Sequence, residues 1–380
     1  MAFRSASRMP ELIPKEDVGE ATRRTYPELG SVAAAAVDPV HLVGGAVRDL
    51  LLGRGRADID LVVEGDAEAL AATLGVAPHA NHDRFGTVKV ELDGHEIDIA
   101  AARSESYPAP GALPVVEPGA GIEADLARRD FTINAMAVPL QGESRLIDPH
   151  GGLADLEAGR LRVLHADSFK DDPTRAIRAA RYAARLGLSL DEETEWLLRA
   201  TDLEAVSADR RRAELLRLAA EPTAPAGLEL LAGWGLLRLG PRWGALSAAL
   251  PELLADAPWA GEVEPMYAWI AVALGPDDLG AEIARAQPAK PSEAVALARG
   301  HDPTELLVAR ALGAEWLDDY MGVWRNVELE IDGADLIKAG IEEGPALGRG
   351  LAAALQGKLD GEVEGREAEL ATALAAARAA

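Results

Sequence analysis

A chain of 380 residues, 48% of them hydrophobic, is long enough for about two to three domains with sizeable cores. It has no cysteine, which excludes disulfides and thiolate metal sites. It also has neither an apolar signal core at its N-terminus nor an apolar run of membrane-spanning length, so the expected location is the cytoplasm, with no membrane partner. The formal net charge of -25 excludes a uniformly basic surface, so a polyanionic partner would have to meet a local concentration of basic groups.

Residues 1–14 carry little pattern and are expected to be a mobile leader. Glu16 to Val37 reads as a helix of alanine and charged residues leading into a strand. The stretch from His41 to Val63, HLVGGAVRDLLLGRGRADIDLVV, follows. Gly44 and Gly45, just after the strand, let the backbone approach an anionic group and offer it their N–H groups. Side chains alternate along an extended strand, so Asp58 and Asp60 share one face. Two carboxylates there suit Mg²⁺, which takes a few protein oxygens and completes its shell with water and substrate phosphate. Taken singly, the glycines also read as a tight turn and the acids as a solvated edge. In this order, the stretch resembles the signature of the nucleotidyltransferase superfamily related to DNA polymerase β. With Val47-Arg48-Asp49 and Leu52-Gly53 it is similar to class II tRNA nucleotidyltransferases and bacterial poly(A) polymerases.

Gly65 to Leu74 reads as a short helix, and Asp83 to Ala100 as a hairpin turning at Asp93-Gly94. Asp98 falls in its second strand, where two-metal phosphoryl chemistry commonly adds a third carboxylate. By the resemblance, IDIAAAR occupies the place of a family strand whose matching arginine is Arg103. Ser104 to Gly121 is rich in Pro and Gly and reads as a loop, either a mobile lid or a passive connector. Its Y-P-A-P-G-A-L-P-V string resembles the lid of some A-adding relatives.

DLARRDFTINAMA, from Asp125 to Ala137, is read as an apolar helix that gathers donors for a triphosphate or ribose. It resembles the family's nucleotide motif, which implies nucleotide binding by Arg128, Arg129, Asp130 and Asn134. Asp148 and Gly151-Gly152 resemble the family's glycine hinge between head and neck. In DDPTRAIRAARYAARLGL, Pro173 fits a first helical turn, and Arg175, Arg178, Arg181 and Arg185 form one stripe. A solvated basic face is one account of that stripe. The resemblance to the family's E-D-x-x-R motif implies instead that Asp172 and Arg175 read the Watson-Crick edge of the incoming base, with Arg178 and Arg181 also on nucleotide; Asp171 departs from the family's Glu. Glu214 matches an acid that braces the preceding helix, and Arg210, Arg211 and Arg212 add a positive cluster. The last third is rich in Ala, Leu and Gly at helical spacing.

The expected architecture is α+β. A mixed α/β nucleotidyltransferase head with a small, mostly antiparallel sheet spans 1–145, a helical neck 146–239, and an all-helical, tRNA-binding body and tail 240–380. The resemblance implies template-independent addition of CCA to the 3′ end of tRNA from CTP and ATP by two-metal transfer. Asp58 and Asp60 would hold two Mg²⁺ ions and Asp98 position the hydroxyl, with Gly44, Gly45 and Arg48 cradling the triphosphate. Two alternatives stay open: an A-adding enzyme or poly(A) polymerase, and an inactive RNA-binding protein on the same scaffold.

Overall fold

The computed structural model describes residues 11–56, 58–75, 80–82 and 87–379, and the chain divides into two compact units, Met1–Leu237 and Arg238–Ala380. The first unit opens with two helices, α1 (Val18–Thr25) and α2 (Leu29–Ala35), where the composition suggested one. Pro27 divides them, because proline pushes the preceding residue out of the helical region, and Tyr26 accordingly sits at φ -127° and ψ 65°. Of the expected leader, residues 1–10 lie outside the described residues. Leu12 and Ile13 pack against the core, and the Ile13 N–H donates to the Leu51 carbonyl at 3.0 Å.

Then come β1 (Val40–Val43), α3 (Gly45–Leu51), β2 (Ile59–Val63), α4 (Ala67–Thr73), β3 (Ala80–His82), β4 (Thr87–Leu92) and β5 (His95–Ala101). They are followed by β6 (Arg103–Ser106), β7 (Val115–Pro118), α5 (Ile122–Ala127) and β8 (Ala137–Pro139). Six strands form one sheet in the order β3-β4-β5-β2-β1-β8; β2 and β5 run parallel and the other neighbours antiparallel. The expected hairpin is β4 and β5, turning at Asp93 and Gly94 with φ of +52° and +76°, the doubly positive turn that Asp-Gly favours. Residues 83–86, where that hairpin was expected to begin, lie outside the described residues.

Two expectations fail here. The segment 104–121 is not an open loop, because β6 and β7 pair antiparallel from Arg103 opposite Pro118 to Ser106 opposite Val115. Its prolines fall at the tip and the strand end, where no ladder donor is needed. Nor is Asp125–Ala137 one helix. It leaves helical geometry after Ala127 and makes a single 3₁₀ turn at Thr132–Asn134. Short polar side chains compete with helical hydrogen bonds: the Phe131 N–H donates to Asp130 Oδ1 at 2.8 Å and the Thr132 hydroxyl to Asp155 Oδ2 at 2.6 Å.

The rest of this unit is α6 (Gly152–Glu157), β9 (Arg160–Leu161), α7 (Ser168–Asp171), α8 (Arg175–Leu186), β10 (Ser189–Leu190), α9 (Glu192–Arg199), α10 (Ala208–Ala219) and α11 (Ala224–Gly233). Pro173 lies just ahead of α8 rather than in its first turn. Leu42, Leu61, Ile97 and Ile99 of the sheet share one core with Phe131, Ile133, Ala176, Ala179 and Tyr182, so α8 is fixed against the sheet by apolar burial. At the glycine pair, Gly151 takes φ +76°, and Gly152 is buried where a Cβ would lie 2.3 Å from the Thr132 carbonyl oxygen. Gly152 is required there by close packing, with Asp148 accepting the N–H groups of Gly152 and Leu153 at 2.7 and 3.0 Å.

The second unit is helical throughout its regular elements: α12 (Trp243–Ala255), α13 (Pro265–Leu274), α14 (Ala281–Arg285), α15 (Pro291–Ala298), α16 (Pro303–Ala311), α17 (Trp316–Gly322), α18 (Gly333–Lys338), α19 (Pro345–Leu359) and α20 (Arg366–Arg378). Its C-terminal part has its own core of Ile331, Leu336, Ile341, Ala354, Ala373 and Ala377. No described helix is long and apolar enough to cross a membrane.

Gly152→Ala should therefore cost about 2 kcal/mol or more, since the opposing atom is backbone and cannot rotate away. In the same unit, Gly30→Ala on the open face of α2 should be neutral or stabilising by up to about 1 kcal/mol. Urea melts of the two variants beside the parent would show this ordering.

Candidate active site

An open cleft of about 530 Å³ runs along the exposed ends of β1, β2 and β5 and is closed by the turn after α5 and by α8. Gly44 ends β1 with φ +65°, and a Cβ there would sit 2.7 Å from Arg129 Nη1. Glycine is thus favoured by the backbone angle, and a larger residue would displace the Arg129 guanidinium. The Gly44 N–H is already given to the Met136 carbonyl at 3.2 Å, so it is not an open donor as the sequence suggested.

Parallel pairing puts Asp60 of β2 directly beside Asp98 of β5, and both carboxylates face the cleft. Asp58 lies one residue before β2 and is exposed, outside the cleft lining, though near enough for its charge to act on Asp60. Burial pushes the Asp60 carboxyl up to about 6, and Asp98 and Asp58 reinforce this against the pull of Arg129 and Lys89. Lys89 of β4, opposite Asp98 in the ladder, places Nζ 2.9 Å from Asp98 Oδ1. Among the described residues no group of three or more carboxylates or imidazoles forms a ready metal cage. A desolvated Asp60 beside the part-exposed Asp98 fits a hard cation that keeps most of its shell for water and phosphate oxygen.

The second wall is arginine held by buried carboxylates. Asp125 is fully buried, accepts Arg128 Nη2 on Oδ1 at 2.6 Å, and accepts Arg129 Nη2 on Oδ2 at 3.0 Å. Glu105 of β6 accepts from Arg103 and Arg128, each at 2.9 Å, and from the Tyr107 hydroxyl at 3.1 Å. The guanidiniums are thus aimed before any ligand arrives. Asp130 and Asn134 line the cleft but are 6% exposed and spent on one another: Asn134 Nδ2 donates to Asp130 Oδ1 at 2.9 Å. Arg178 Nε and Nη2 donate to Asp130 Oδ2 at 2.8 and 2.5 Å. Arg48, expected in the triphosphate cradle, is 2% exposed and outside the cleft lining, bonded through Nε and Nη2 to Asp49 at 2.9 and 2.8 Å and through Nη1 to Asn134 Oδ1 at 2.5 Å.

The third wall comes from α7 and α8. Asp172 and Arg175 both line the cleft. Arg175 is 5% exposed and fixed by Ser168 Oγ at 3.1 Å and the Arg128 carbonyl at 2.9 Å. Of the expected stripe, Arg178 reaches the cleft, while Arg181 turns toward Glu221 at 3.5 Å and Arg185 joins it at 3.3 Å, so the stripe is an internal contact and not a solvated face. The Tyr182 ring lies within 5.9 Å of the guanidinium carbons of Arg48, Arg178, Arg181 and Arg185. Glu214 lies 3.8 Å from Arg178 and so braces α8 from α10. Asp125, Glu105, Tyr107 and Tyr182 were missed in the sequence. For Asp125 the signal was there, since arginines three and four residues later on a helix point back at it.

The cleft carries Arg103, Arg128, Arg129, Arg175, Arg178 and Arg210 against Asp60, Asp98, Glu105, Asp130 and Asp172. In a chain of net charge -25, a lining in which the arginines balance the carboxylates is locally far more basic than the whole.

A Poly A polymerase head domain model matches residues 40–162. A CC-adding tRNA nucleotidyltransferase of Deinococcus radiodurans is 37% identical over 327 residues, 82% of each chain. An A-adding tRNA nucleotidyltransferase of Aquifex aeolicus is 48% identical over 165 residues, 42% of this chain and 20% of that one. Among solved structures, the Thermotoga maritima CCA-adding enzyme complexed with tRNA aligns at a TM-score of 0.70 and 29% identity, over 97% of this chain and 99% of that one. A CCA-adding enzyme in complex with CTP aligns at 0.75 and 29%, over 97% and 100%.

The Asp130 network makes a stability prediction. Burial raises the Asp130 carboxyl, but the Arg178 charge and the Asn134 hydrogen bond outweigh it and hold the group at about 2, below its ordinary 3.8. A lowered folded-state value stabilises above about pH 4, and the gain is lost as pH falls toward 2. Asp130→Ala should cost roughly 2–4 kcal/mol at pH 7 and lose less than the parent between pH 4 and 2, as read by urea denaturation at each pH.

Proposed function

The chain belongs to the class II tRNA nucleotidyltransferase family, and from that premise we propose that it adds nucleotides from CTP and ATP to the 3′ end of tRNA, restoring CCA in the cytoplasm. The observation that carries the reading is the register of Asp60 beside Asp98, facing arginines already held by carboxylates, with Asp172 on the opposite wall. Groups so placed would serve metal-assisted phosphoryl transfer, which needs no separate protein nucleophile.

Asp58 and Asp60 would hold Mg²⁺, with Asp98, in register beside Asp60, as the third carboxylate of the set. When bound, the metal supplies a lowered pKa at the acceptor 3′ hydroxyl and neutralises the departing pyrophosphate. Arg128 and Arg129, oriented by Asp125, and Arg103, oriented by Glu105, meet the triphosphate charge without reorganising. Arg178 and Asn134 support that wall through Asp130, and Arg48 supports Asn134 from beneath; these act as positioning residues. Arg181 supports α8 through Glu221. The new bond forms between the tRNA 3′ oxygen and the α-phosphorus as the bond to pyrophosphate breaks, and the hydroxyl proton leaves to solvent. The Asp172 carboxylate accepts from an exocyclic amine, and Arg175 donates to the adjacent ring nitrogen, a pattern shared by cytosine and adenine.

A second reading, addition of the two C residues alone, is favoured by the Deinococcus relative that spans most of the chain. Single-nucleotide and mixed incorporation on tRNAs ending before CCA, after C and after CC separates them. Two C and one A on the shortest substrate is the expected result; C without A supports the second reading, and A on the CC-ended substrate alone points to an A-adding enzyme. Asp60→Ala should lower turnover by about a thousandfold or more while tRNA binding persists. A protein that binds tRNA but incorporates nothing in its parent form would be the inactive scaffold.

A further inference from the structure

Building on the nucleotidyltransferase reading, we infer that Arg210 of α10 is a positioning residue for nucleotide choice, holding one oxygen of Asp172 so that the other alone meets the incoming base. Three donors converge on Asp172 Oδ1: the Thr174 N–H at 3.0 Å, the Thr174 hydroxyl at 2.7 Å and Arg210 Nη2 at 3.0 Å. Among the described residues none donates to Oδ2, and Asp172 lines the cleft. The two Thr174 bonds are local to the turn before α8 and travel with it. Arg210 is the donor that fixes the carboxylate from outside that turn.

The same guanidinium has a second anchor. Arg210 Nη1 donates to the Gly111 carbonyl at 2.8 Å, at the tip of the β6–β7 hairpin. That tip is itself wedged: the Gly111 N–H donates to the Lys170 carbonyl at 2.9 Å, Gly111 takes φ +69°, and a Cβ would sit 2.3 Å from the Ala205 carbonyl oxygen. Only glycine fits, so the hairpin tip, Arg210 and Asp172 form one chain of contacts.

The consequence is directional. A carboxylate free to rotate offers two acceptors and tolerates several base edges; one with Oδ1 saturated presents a single acceptor on a fixed line. That acceptor matches the amine of cytosine or adenine, and it meets the carbonyl of uracil or guanine acceptor to acceptor, which is repulsive. Arg210 therefore acts on discrimination between amino and keto bases more than on rate.

The test is kcat/KM for CTP, UTP, ATP and GTP on tRNA, for the parent, Arg210→Ala, Arg210→Lys and Gly111→Ala, with thermal midpoints and tRNA affinity measured alongside. Arg210→Ala should reduce the CTP-to-UTP and ATP-to-GTP ratios roughly tenfold. Arg210→Lys keeps the charge but spans only one of the two partners, and should show part of that loss. Gly111→Ala, at a residue outside the cleft lining, should move the ratios in the same direction. If Arg210→Ala does not fold, the other two variants carry the same readout. Equal losses for all four nucleotides, with the ratios unchanged, would overturn the inference and leave Arg210 a simple brace. A parent protein that incorporates nothing would instead remove the nucleotidyltransferase reading beneath it.

Discussion

The cleft depends on one ion pair, a half-buried arginine on a buried carboxylate. Arg178 of α8 and Asp130, just before the 3₁₀ turn, lie on separate segments, and their two hydrogen bonds at 2.8 and 2.5 Å join the wall that carries the arginines to the wall that carries Asp172. Apolar burial brings α8 to the sheet, but apolar contacts are non-directional and would tolerate a rotated helix. The ion pair is directional. It fixes the helix rotation and, through Asn134 and Arg48, passes that orientation to α3 beneath the glycine pair.

The same economy resolves the conflict between an acidic chain and a polyanionic substrate. A bare cluster of arginines would repel itself; here Asp125 and Glu105 sit behind it, neutralise part of its charge and aim what remains. Across the cleft, burial raises Asp60 to about 6, and the neighbouring carboxylates of Asp98 and Asp58 add to the rise. Crowded acids on one side and oriented guanidiniums on the other define a place for a metal-bearing triphosphate. Fold and site then serve one purpose, since the parallel pairing of β2 and β5 creates the first side and the docking of α8 secures the second.

Much of this was legible in the sequence because its signals are local. Alternation located β2, β4 and β5, Asp93-Gly94 located their turn, and helical spacing located α8 and the helices of the second unit. What local signals could not report was which polar groups are already spoken for. Arg48 and Asn134 look like ligand donors in one dimension and prove to be each other's partners in three. Arg181 shares a stripe with Arg178 yet serves Glu221, an acid forty residues away that spacing could not connect to it. The hairpin from β6 to β7 was hidden by its prolines, which mark a loop unless they fall where the ladder needs no donor.

The most direct test is a crystal of the protein with CTP and Mn²⁺ in place of Mg²⁺, with anomalous scattering recorded from the metal. The account predicts a peak at roughly 2.0–2.2 Å from carboxylate oxygens of both Asp58 and Asp60, with the triphosphate against Arg128 and Arg129 and the cytosine amine toward Asp172 Oδ2. Manganese bound elsewhere while CTP occupies the cleft, or CTP with its base turned away from Asp172, would contradict it.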